Sequence, residues 1–125
     1  MLILADTSVW INHLRKRNCL FAGFLEESTV LMHPCVLGEL ALVNLRQRAE
    51  ILQFLEVLPE AEAATDEEVR HVIETKGLWG QGIGWIGAHL LASALLTPAC
   101  SLWTLDMPLR RASAAAGARL FHGAV

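Results

Sequence analysis

Charge is scarce in this 125-residue chain: only 18% of residues are Asp, Glu, Lys or Arg, against the roughly 25% usual for soluble proteins. Basic residues are not in excess either. Ten Lys and Arg against 13 Asp and Glu leave a net charge of −3, so no overall positive field draws in nucleic acid or an anionic membrane, and any phosphate must be held locally. The three cysteines are an odd number with no CxxC pair and no histidine at ligand spacing, which argues against zinc or a disulfide frame and for a reducing cytosol, with the thiols as small core residues. No long apolar run is present. The longest, Ile83 to Leu96, is 14 residues interrupted by His89 and Ser93 and followed by Pro98, short of the roughly 20 that a membrane-spanning helix needs. The first apolar run stops at Asp6 after four residues, unlike a secretory leader. A soluble, cytoplasmic protein is expected.

What is present in quantity is core material. The apolar set makes up 54% of the chain before its nine glycines are added, where about 45–50% is usual with glycine included, so disorder is excluded. The length corresponds to one domain, residues 1–125. Leu2 to Ala5 is the short continuous apolar run of a strand buried on both faces. A helix follows, capped by Thr7 or Ser8, and a second short helix begins after Asn18. Thr29 to Met32 is a second strand, and Pro34 suits the first turn of the next helix. Arg46 to Leu55 is a further helix, and Val57-Leu58 reads as a brief edge strand. Thr65-Asp66-Glu67-Glu68 is a capping box, and four glycines between 77 and 84 lead into an apolar helix from Trp85 to Leu96. Ser101 to Leu105 is another strand, Met107 to Ala116 the last helix, and Ala118 to Phe121 a final strand. Strands alternating with helices predict an α/β fold with a mainly parallel sheet of four to five strands.

Aspartate occurs only at positions 6, 66 and 106. Asp66 belongs to the first turn of a capped helix, where the helix dipole favours negative charge. Asp6 and Asp106 each follow the last apolar residue of a central strand, at the carboxyl edge where open α/β sheets bind ligands; the plain structural alternative is a helix N-cap. Glu39 adds to them. It lies about 60° from Val36, at about 100° per residue, on the edge of the stripe formed by Val36, Leu40 and Val43. A carboxylate there costs desolvation unless a cation or donor meets it. Convergence of Asp6, Glu39 and Asp106 would make an oxygen-only cage of the kind Mg²⁺ or Mn²⁺ prefers. His89 reads as a packed or hydrogen-bonded histidine, and Trp79, Trp85 and Trp103 as core residues.

Asp6-Thr7-Ser8-Val9-Trp10, Gly38-Glu39-Leu40, the run from Gly84 to Ser93 and Leu102-Trp103-Thr104-Leu105-Asp106 together resemble the PIN-domain ribonucleases of the VapC toxin type, in order and across essentially the whole chain. The resemblance implies a PIN fold, an endoribonuclease that uses Mg²⁺ or Mn²⁺ and an activated water to leave a 5′-phosphate and a 3′-hydroxyl, a VapB-like antitoxin, and a toxin homodimer. The RNA it implies is single-stranded or looped, a tRNA or rRNA loop among the candidates. By position, Asp6, Glu39 and Asp106 match the family acids, and Ser8 and Thr104 match its supporting hydroxyl residues. One position departs. Where similar proteins carry Asp in Gly-Trp-Ile-Asp, this chain has Gly87, a residue that costs a helix about 1 kcal/mol relative to Ala. Loss of that acid implies a weakened or inactive nuclease, and the alternative is a non-catalytic PIN module that engages antitoxin or RNA without cutting. Arg15, Arg110 and Arg111 flank the two strand-end acids and are candidate phosphate contacts. A haloacid-dehalogenase type enzyme needs a second Asp where Ser8 stands, and a dinucleotide-binding domain needs a Gly-rich turn that is missing here.

Overall fold

In the computed structural model, which describes residues 1–123, the apolar runs at Leu2–Ala5 (β1) and Cys100–Trp103 (β3) lie side by side at the centre of a four-stranded sheet. Val30–Leu31 (β2) pairs with the outer edge of β1, and Arg119–Leu120 (β4) with that of β3, giving the order β2-β1-β3-β4 with all pairs parallel. Parallel neighbours need crossovers, and helices supply them. They are Thr7–Arg15 (α1), Cys19–Glu26 (α2), Pro34–Ala41 (α3), Arg48–Glu56 (α4), Asp66–Lys76 (α5), Trp85–Leu96 (α6) and Met107–Ala115 (α7). Seven helices around a parallel sheet match the α/β, PIN-like expectation.

Both central strands are covered on each face, so Ile3, Leu4, Ala5, Leu102 and Trp103 are fully buried and the strands carry no polar alternation. Phe21 packs edge-on against Trp10 and tilted against Trp103 within the core, Phe24 and Phe121 extending the cluster. α6 is buried along most of its length, which explains why it is apolar all round. No helix among the described residues is long and apolar enough to cross a membrane.

Several boundaries follow from local chemistry. Asn18 caps α2 through Phe21 N–H, Pro34 opens α3, and Thr65 with Glu68 forms the reciprocal capping box of α5. Gly77 ends α5 at φ +65°, a left-handed position that costs glycine nothing. Two expectations shift. The cap of α1 is Asp6, whose side chain accepts from Val9 N–H, and neither Thr7 nor Ser8 fills that role. Val57-Leu58 is no strand: it closes α4, and the chain touches the sheet later, through a parallel bridge between Met32 and Glu60. The bonds Met32 N–H to Pro59 carbonyl and Ala61 N–H to Met32 carbonyl fix that bridge.

Candidate functional site

The pairing of β1 with β3 runs in register from Leu2↔Cys100 to Ala5↔Trp103, so the next residues, Asp6 and Thr104, emerge together at the carboxyl edge of the sheet. Asp6 is almost fully buried there. Both of its oxygens are engaged: Ser8 Oγ donates to Oδ1 and Thr104 Oγ1 to Oδ2, while Val9 N–H also reaches Oδ1 at 3.3 Å. Each hydroxyl in turn accepts a backbone N–H from the β3–α7 connection, Leu105 N–H on Ser8 at 3.1 Å and Asp106 N–H on Thr104 at 3.0 Å. Asp6 is thus the hub of a clamp that sets the path of the chain toward Asp106.

Asp106 opens α7 but its side chain makes no capping hydrogen bond and is exposed, so helix capping does not account for it. Glu39 is half-buried on α3 and accepts from Thr7 Oγ1 at 2.6 Å, a bond that ties the start of α1 to α3. Asp6, Glu39 and Asp106 line one cleft of about 220 Å³, together with Thr7, Gly84, Ile86, Gly87, Leu90 and Leu109. Three carboxyl groups from three separate elements therefore face the same space. Burial pushes the Asp6 carboxyl above its ordinary pKa, and the hydrogen bonds from Ser8, Thr104 and Val9 only partly offset this. No Lys or Arg forms an ion pair with these acids among the described residues. An all-oxygen donor set with no cation of its own fits a hard divalent metal ion.

Gly87 sits in the wall of this cleft, one turn into α6. A Cβ at position 87 would meet Leu109 Cδ1 at 3.4 Å and Ile83 Cβ at 3.7 Å, which is ordinary contact. Packing therefore does not require glycine here, and the residue leaves a cleft wall without a side chain.

The basic candidates divide. Arg110 is half-buried and donates through Nη2 to the Thr104 carbonyl at 2.8 Å, placing its guanidinium beside the clamp. Arg111 is exposed on the next position of α7. Arg15 ends α1, roughly 12–14 Å along the helix axis from Asp6 at about 1.5 Å per residue, and does not line the cleft. Trp103 is core as expected, but Trp79 and Trp85 are not: they are 66% and 45% exposed. They line a depression that shares Gly84 with the carboxylate cleft, at the end of the glycine-rich connection from Gly77 to Gly84. Thr7 is a site residue that sequence reasoning treated only as a cap, although two adjacent hydroxyl residues after a strand-end acid were the available signal. Of the cysteines, only Cys100 is the expected core residue: Cys19 is exposed, and Cys35 lies half-buried close to His33, two residues before it, and to His89, whose distance along the chain concealed the grouping.

No family model matches the chain. Among curated proteins, it is 39% identical over 119 residues to Ribonuclease VapC32 of Mycobacterium tuberculosis, in both strain CDC 1551 / Oshkosh and strain H37Rv, covering 95% of this chain and 96% of the relative.

Proposed function

The chain belongs to the VapC family of PIN ribonucleases, and from that premise we propose that it is the toxin of a toxin–antitoxin pair, built as a metal-dependent endoribonuclease and weakened by Gly87. The observation that carries the reading is the convergence of Asp6, Glu39 and Asp106 on one cleft. These three residues would hold Mg²⁺ or Mn²⁺, which when bound supplies a Lewis acid that polarises the scissile phosphate and acidifies the attacking water. Ser8 and Thr104 are positioning residues: with Val9 N–H they hold both oxygens of Asp6 in one orientation. Thr7 does the same for Glu39. Arg110, tethered beside Thr104, offers its remaining N–H groups to a substrate phosphate, and Arg111 extends that basic edge.

RNA cleavage in Mn²⁺, compared between this chain, Gly87→Asp and the Asp6→Asn control, tests the proposal. The expected order is Gly87→Asp well above the present chain, with Asp6→Asn inactive. Equal activity of the first two would remove position 87 from the site.

Gly87 also favours a second reading, a binding module that occupies antitoxin or RNA without cutting. Calorimetry with Mn²⁺ separates the two: no uptake by this chain alongside intact antitoxin binding supports the module.

The antitoxin is expected to lay an apolar helix face into the groove between α1, α2 and α4, lined by Trp10, His13, Leu14, Leu25, Ile51 and Phe54. A single domain of residues 1–125 acting in the cytoplasm, and a homodimer read by light scattering, complete the proposal.

A further inference from the structure

A second set of ligand-type side chains meets where the start of α3 approaches the middle of α6, apart from the carboxylate cleft. His33 is the N-cap of α3, Cys35 lies in its first turn, and His89 is on α6. One ligand atom from each lies within 4.8 Å of the other two. Both histidines are buried, and Cys35 is half-buried.

The hydrogen bonds fix the tautomers. His33 Nδ1 accepts Cys35 N–H at 3.0 Å, so Nε2 carries the proton, toward Ser93 Oγ at 3.0 Å. His89 Nε2 faces Asp66 Oδ1 at 3.1 Å and donates to it, which leaves the lone pair on Nδ1. That Nδ1 is buried and has no hydrogen-bond partner among the described residues. A buried acceptor without a partner is costly and rare. A carboxylate on the far nitrogen of an imidazole is also the arrangement that orients histidines toward metal ions and raises their basicity. Burial and then the charges of Glu39 and Asp66 push the Cys35 thiol up, and those two acids favour a cation beside it.

We propose that His33, Cys35 and His89 bind a zinc-class ion, at a site distinct from the oxygen-ligated one. Two imidazoles and a thiolate suit Zn²⁺ and do not suit Mg²⁺ or Mn²⁺, and three protein ligands leave a fourth position for water. Binding releases the Cys35 thiol proton to solvent. His33 gives up the Cys35 N–H on its Nδ1 lone pair for the metal bond, while Nε2–H stays on Ser93 Oγ. The ion would pin α3 to α6, the helices that carry Glu39 one turn beyond Cys35 and Gly87 two residues before His89.

The test is titration of the untagged, reduced chain with Co²⁺. The expected result is a set of tetrahedral visible bands and a thiolate-to-cobalt charge-transfer band that saturate together at one equivalent, all bleached by added Zn²⁺. Cys35→Ser should lose the charge-transfer band, and His89→Gln should weaken uptake by about tenfold or more. Cys19→Ser should leave both signals unchanged. Near-ultraviolet circular dichroism confirms folding of each variant. Absence of a thiolate band in the folded chain overturns the proposal, as does a band that survives Cys35→Ser.

Discussion

Thr104 Oγ1 donates to Asp6 Oδ2 across 98 positions of sequence, and the same hydroxyl accepts Asp106 N–H. One buried side chain thus orients one strand-end acid and directs the chain toward the other. Thr104→Val keeps the shape and removes the hydroxyl, leaving the part-buried Asp106 N–H and a buried Asp6 carboxylate oxygen each short of a partner. The expected loss is about 1–3 kcal/mol of stability, read by urea unfolding, together with weaker Mn²⁺ binding. Thr104→Ser should recover most of both.

Position 87 separates a packing role from a lost ligand by stability alone. Gly87→Ala adds a methyl group in ordinary contact with Leu109 and removes a helix-interior glycine, so thermal unfolding should show a gain of about 0.5–1 kcal/mol. A loss would mean that glycine is needed for packing. Gly87→Asp adds a fourth carboxyl beside three others. Without metal it should be less stable than Gly87→Ala, with the difference shrinking or reversing in millimolar Mn²⁺.

Trp79 and Trp85 line the depression beside the carboxylate cleft, Trp79 largely exposed and Trp85 half-exposed with its ring packed edge-on against His89, so indole surface is open to stack on unpaired bases. Stacking contributes about 1–3 kcal/mol per base, so Trp79→Ala should weaken binding of a short single-stranded RNA by about 5- to 100-fold in a fluorescence titration with the fold intact. Trp79→Phe should lose much less. Unchanged binding in both Trp79→Ala and Trp85→Ala would exclude this corner from the RNA path.

Phe54 is 48% exposed at the rim of the groove between α1, α2 and α4. Phe54→Glu places a charge where an apolar helix face is expected to sit. Antitoxin binding measured by calorimetry should fall by about tenfold or more, while the melting temperature of the free chain changes little. Retained affinity would move the antitoxin to another surface.

The sequence by itself determined the strand cores, most helix boundaries and the identity of the three acids. Each rests on local chemistry: Leu2 to Ala5 has no polar alternation, Thr65 and Glu68 are one helical turn apart, and Asp6 and Asp106 directly follow apolar runs. The unusual glycine at 87 was equally legible, because a helix interior penalises it wherever the helix lies.

Only the tertiary structure decided what those residues meet. The β1–β3 register brings Thr104 to Asp6 and so gives Ser8 and Thr104 a shared partner; shifting the register by one residue would dissolve the clamp. The packing of α3 near α6 joins His33 and Cys35 to His89, a grouping that no local spacing reveals. Trp79 and Trp85 are outside for a related reason. Exposure depends on whether another element covers a side chain, and the glycine-rich connection before α6 leaves that corner uncovered.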